Sequence, residues 1–176
     1  MKRLLYFVGA ILLFTACNNK NDTSEKVATD AKSDLPYTLE NPYRDWQPGD
    51  KGNVAVVMKM IKAWETKNVA ECTTYFADTA IISLDYYHKK LPNDSITSLL
   101  NMSLSDIESV TVKMEDWESV ISADKKEEWV TVWYKQRWIN KKGVADSLNI
   151  TNDARIVNGK IAIFDEKIQH FPAAAK

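Results

Sequence analysis

Val54, Val57, Met58, Ile61 and Trp64 recur at intervals of three and four residues. That spacing gathers side chains on one face of an α-helix. Gly49-Asp50 offers a start for it and Lys67-Asn68 a stop. Val69, Cys72, Tyr75 and Phe76 extend the same spacing into a second, shorter helix. Residues 80–87, rich in Ile, Leu and Tyr, predict a strand. Pro92-Asn93-Asp94 punctuates, and 95–104 predicts a third helix with Asp94 or Ser95 as its cap.

The pattern then changes to alternation. Val110, Val112 and Met114 alternate with Thr111, Lys113 and Glu115, and Asp116-Trp117 breaks the alternation as a bulge would. The longest strand is predicted over 128–139. Its first half is apolar on both faces: Val130, Val132 and Tyr134 on one, Trp129, Thr131 and Trp133 on the other. Such a strand needs cover on both sides. Asn140 to Gly143 predicts a hairpin turn, Leu148 and Ile150 lead the next strand, Asn158-Gly159 is a tight-turn signal, and 160–171 is the last strand. Helices first and long hairpins after them predict an α+β fold, with the helices on one side of a curved antiparallel sheet.

The N-terminus follows a different logic. Lys2 and Arg3 precede an apolar run from Leu4 to Phe14, and Phe14-Thr15-Ala16-Cys17 ends it. A basic start, a short apolar core and small residues before a cut are the pattern of a secretory signal. The run is shorter than the ~20 residues needed to span a bilayer. Cys17 after the small pair resembles the lipobox of bacterial lipoproteins. The resemblance implies a signal peptide over 1–16, acylation of Cys17, and a lipid anchor in the outer membrane of the cell envelope, facing the periplasm or the surface. Residues 18–34 are polar with no aromatic, so 17–34 is expected to be a disordered tether. Aromatics between prolines over 35–52 predict an extended arm packing on the domain, which then runs over 53–171.

Composition narrows the function. Lys and Arg number 23 against 24 Asp and Glu, a formal net charge of −1, and removal of the signal leaves the chain mildly acidic. Nucleic acid is therefore not expected as a partner. The pairs Lys89-Lys90, Lys125-Lys126 and Lys141-Lys142 fall between apolar segments and read as solvated turns. Of 2 cysteines, Cys17 takes the lipid and Cys72, on an apolar stripe, reads as a buried inert thiol, so no internal disulfide is expected. His88 and His170 lack ligand spacing, and there is no Gly-rich phosphate loop or nucleophile elbow. No metal and no cofactor is expected.

Ala63-Trp64-Glu65-Thr66-Lys67-Asn68, the following Tyr75-Phe76-Ala77-Asp78-Thr79-Ala80, and the closing Ala154-Arg155-Ile156-Val157-Asn158-Gly159-Lys160-Ile161 resemble the SnoaL-like group of the nuclear transport factor 2-like superfamily. The resemblance spans about Asn53 to His170. It implies a cone, a strongly curved sheet wrapped around the first helices with a cavity at its wide end. It also implies a homodimer through the convex face, with Trp129 or Trp133 near its centre. The ketosteroid isomerases of that superfamily use an aspartate base, a tyrosine and a neutral aspartic acid. The corresponding positions here are Leu84, Met60 and Asn152, so none of the three catalytic residues is present and no catalytic residue is assigned. Asp85 adjoins the base position, but a one-residue slip on a strand turns a side chain to the other face.

The expected ligand-binding residues are Trp64, Asp85, Tyr86, Trp138 and Asn152, with Asp85 near the cavity mouth. Most tryptophans are expected in the core. Asn152 and Asp165 each interrupt an apolar stripe, which is costly inside a protein unless the polar group is paired. Three function classes fit. The first is a non-catalytic envelope domain binding a small, mostly apolar ligand; the second is a dimeric interaction module of the envelope. The third is an isomerase- or hydrolase-like enzyme using an acid–base pair such as Asp85 with His88. The first is the favoured expectation.

Overall fold

A computed structural model describes residues 36–37, 44–85 and 87–170. The signal, Cys17 and the tether fall outside these residues. Every element lies within the compact unit Asn41–Lys176.

Helix α1 (Lys51–Glu65) begins where the Asp50 side chain accepts the Gly52 N–H at 2.7 Å. Such a cap is worth ~1 kcal/mol. Its buried face is Val54, Val57, Met60 and Ile61. The helix ends at Thr66, and Lys67 takes a positive φ of 57° that turns the chain away. Asn68 then caps the short α2 (Val69–Thr74) by accepting the Glu71 N–H. Helix α2 stops sooner than its apolar spacing predicts: Phe76 already starts strand β2 (Phe76–Leu84).

The predicted single strand over 80–87 is a hairpin of β2 with β3 (Tyr87–Pro92). Asp85, at φ 42°, carries the turn, a task for which the absence of glycine gave no signal. Helix α3 (Asn93–Leu104) starts two residues earlier than predicted. Pro92 is its N-cap residue and no side chain caps it, so Asp94 lies in the first turn and contributes charge there instead.

Strands β4 (Ile107–Ile121), β5 (Glu128–Asn140), β6 (Ala145–Val157) and β7 (Lys160–His170) form a meander. With the two-residue β1 (Gln47–Pro48) they complete a curved seven-stranded sheet in the order β1-β4-β5-β6-β7-β2-β3. The sheet is mixed rather than wholly antiparallel, because β2 pairs parallel to β7. The cause is α3: it returns the chain between β3 and β4, so the meander arrives beside β2 running the same way.

Three local features set which side chains face inward. The expected bulge in β4 lies between Met114 and Asp116. Asn158 (φ 50°) and Gly159 (φ 70°) make the tight β6–β7 turn. Just after it, Ile161 pairs with Ile156 but Ile163 pairs with Arg155, so Ala162 is an extra residue in β7. That bulge reverses the alternation along the rest of β7.

The core lies between α1–α3 and the concave face. Val130, Val132, Tyr134, Ile150, Ala154 and Ile156 supply the sheet side. The tryptophans depart from expectation: none of those described is fully buried, and Trp117 is 39% exposed. Aliphatic side chains such as Val130, Val132, Ile150 and Ile156 fill the concave side instead. The convex face carries half-buried Trp129 and Trp133 beside a polar network of Thr131, Asp153, Asp165 and Lys167.

Candidate functional site

Between α1, α3 and the sheet lies a cavity of about 190 Å³. Its walls are mainly apolar. Met60, Ile61 and Trp64 come from α1, and Ile96, Leu99 and Leu100 from α3. Cys72 closes it from α2; Phe76, Ile82 and Leu84 from β2, and Phe164 from β7, form the sheet side. Exposed Ser103 marks the mouth. A larger depression of about 620 Å³ lies over the β6–β7 turn, but Asp78, Thr79, Val157, Asn158 and Lys160 line it from the exposed surface. Enclosure, which buries most of a small ligand, favours the cavity.

Few polar groups reach the inner wall. Gln136 accepts the Trp64 indole N–H on Oε1 at 2.8 Å. An indole only donates, so this bond fixes the amide orientation and leaves the Gln136 Nε2 hydrogens to point elsewhere. Tyr134 is buried, and burial together with the charge of Glu166 pushes its phenol well above its ordinary pKa. Among the described residues Glu166 is the one carboxyl of the lining. Burial raises its pKa and the charge of Asp85 adds to this, while a donated Asn152 Nδ2–H at 3.5 Å acts the other way. The Cys72 thiol, desolvated by burial, rises to about 12 and stays protonated at neutral pH.

The residues expected from sequence are placed as follows. Trp64 lines the cavity. Asn152 is fully buried at 0% exposure, directly across from Val132 on β5 and Glu166 on β7. It reaches the cavity only through Glu166, and its Oδ1 has no hydrogen-bond partner. Asp85 is exposed in the β2–β3 turn, near enough to Glu166 to act on its charge. Trp138 shares the concave face with Tyr134 and Gln136 by strand alternation, opposite Val110, but lies beyond the cavity lining. Tyr86 lies outside the described residues. His88 Nδ1 sits 2.6 Å from Ser83 Oγ, and among the described residues no hydrogen bond joins it to Asp85.

Asp165 does not continue the Ile161 stripe. The bulge at Ala162 turns it outward, where it pairs with Lys167 at 3.0 Å. The same shift carries Phe164 and Glu166 inward. Glu166 is therefore the site residue that alternation missed. Gln136 was open to detection, because it follows Val130, Val132 and Tyr134 on one stripe.

No protein-family profile and no curated protein matches the chain. Solved structures do. One is a nuclear transport factor 2-like protein of unknown function from Exiguobacterium, 12% identical, at TM-score 0.55 over 65% of this chain and 98% of that one. A second such protein, from Burkholderia pseudomallei, is 14% identical at TM-score 0.55, covering 67% and 91%. A Mycobacterium tuberculosis epoxide hydrolase is 12% identical at TM-score 0.54, covering 68% and 84%. The chain has the nuclear transport factor 2-like fold. This fold holds a hydrolase and proteins of unknown function alike, so function has to be read from the cavity.

Proposed function

We propose that this is a lipid-anchored envelope protein whose nuclear transport factor 2-like domain binds a small, mostly apolar ligand without transforming it. The observation that carries the reading is the cavity: about 190 Å³, apolar on most sides, with Glu166, Gln136 and Tyr134 at its sheet wall. A cavity of roughly 150 Å³ accepts a benzene ring, so this one suits a ring or branched chain with one or two further heavy atoms. Few polar groups in an apolar hollow orient a ligand rather than solvate it.

Binding is favoured over chemistry by the positions themselves. Met60 and Leu84, which occupy the places of the isomerase tyrosine and base, are apolar walls here. Asn152, in the place of the neutral acid, is spent on Glu166. Native mass spectrometry of protein purified from its own envelope tests the proposal. A retained small molecule, unchanged in mass after prolonged incubation, is the expected result; conversion of that molecule to a product would replace binding by catalysis.

A further inference from the structure

Glu166 is a carboxyl in an apolar hollow whose lining, among the described residues, contains no Lys, Arg or His. Among the described residues the one hydrogen bond it receives is the long one from Asn152, at 3.5 Å. Among the described residues the titratable groups that interact with it are Asp85 from the β2–β3 turn and the phenol of Tyr134 from β5, neither of which supplies positive charge. A desolvated carboxylate is expensive unless a cation lies beside it, and without one Glu166 is best satisfied by a proton. The lining also carries the rings of Trp64, Phe76, Tyr134 and Phe164, and aromatic quadrupoles attract cations.

Resting on the reading of the cavity as a ligand site, we infer that the ligand is a small organic amine, bound as its ammonium ion with Glu166 as counter-ion and its hydrocarbon part among the residues of α1 and α3. A neutral ligand would leave Glu166 as an acid that only donates one hydrogen bond. An ammonium supplies the missing positive charge and donors for the carboxylate oxygens. Binding the cation displaces the Glu166 proton to solvent, so charge balances: one positive charge enters and one proton leaves. Affinity for the amine should accordingly rise with pH as Glu166 ionises, until the free amine itself loses its proton.

The test is calorimetric titration of the full chain with benzylamine, benzyl alcohol and toluene, which share a ring and differ in the polar group. Benzylamine is expected to bind at least about tenfold more tightly than either, the scale of one charge-assisted contact. Titrations in two buffers of different ionisation enthalpy should show proton release with benzylamine alone. Glu166→Gln keeps the shape and removes the counter-ion, and should abolish both the preference and the release. If that variant does not fold, ligand order and proton release in the wild-type chain decide alone. Toluene or benzyl alcohol binding as well as benzylamine would overturn the amine while leaving the cavity a ligand site. Failure of all three to bind would overturn the ligand-site reading as well.

Discussion

Glu166 couples the site to stability. Its pKa is raised in the folded chain, chiefly by burial, so between its ordinary value and its folded value the folded state holds a proton that the unfolded state has lost. Its favourable contribution is complete at pH below the ordinary carboxyl range and is lost as pH rises through the folded pKa. Glu166→Gln removes the titration. That variant should be more stable than wild type at neutral pH by roughly 1–3 kcal/mol, the usual cost of a buried polar group left unpaired. The difference should shrink on acidification, as denaturant melts at several pH values would show. An unchanged pH slope would contradict the assignment. At this scale the sequence was informative where alternation was unbroken: the stripes put Trp64 and Asn152 on inward faces, though Asn152 stops behind Glu166 and does not line the cavity. Glu166 was hidden because one added residue, Ala162, exchanges the faces of β7, and neither Ala nor its neighbours announces a bulge.

At the level of elements, the arm holds β4 through a close backbone approach. The Gly49 N–H donates to the Ser119 carbonyl at 2.8 Å, and a Cβ at Gly49 would lie 2.5 Å from Ser119 Oγ and 2.9 Å from the Val120 nitrogen. The backbone nitrogen cannot swing aside as a side chain can. Gly49→Ala should therefore part β1 from β4 and cost about 1–3 kcal/mol, as overpacking does. Amide exchange should quicken at Gly49 and Ala123, whose N–H groups bond across this junction to Ser119 and Arg44. Protection equal to wild type would show that the arm contributes nothing there. Long periodic elements were legible because burial enforces their period, as in α1 and β5. The β2–β3 hairpin was not: an aspartate at positive φ, held by strand pairing on both sides, does locally what glycine usually does.

For the molecule as a whole, two proposals remain from the sequence. The lipid anchor depends on Cys17, so Cys17→Ser should move the protein from the membrane to the soluble fraction; full membrane retention would mean that something else holds it. Among the described residues no helix is long and apolar enough to cross a bilayer. The homodimer depends on the convex face, where Trp129 and Trp133 stay half-buried on β5. Sedimentation at micromolar concentration should give a dimer, and Trp129→Lys with Trp133→Lys a monomer; a monomeric wild type would discard the interface. The fold class was legible because helices, hairpins and turn residues agreed with one another. The single parallel pairing of β2 with β7 was not, since it follows from where α3 sets the chain down and not from any local pattern.

The central claim is that the hollow between α1, α3 and the sheet takes a ligand. Methyl-resolved NMR of the chain during titration with benzylamine tests it most directly. Saturable shifts should appear at Ile61, Ile82, Ile96 and Leu99, which line the cavity, while Ile81 and Ile163 on the convex face stay still. Cavity methyls that remain unmoved at saturating ligand, or shifts confined to the convex face, would contradict the account.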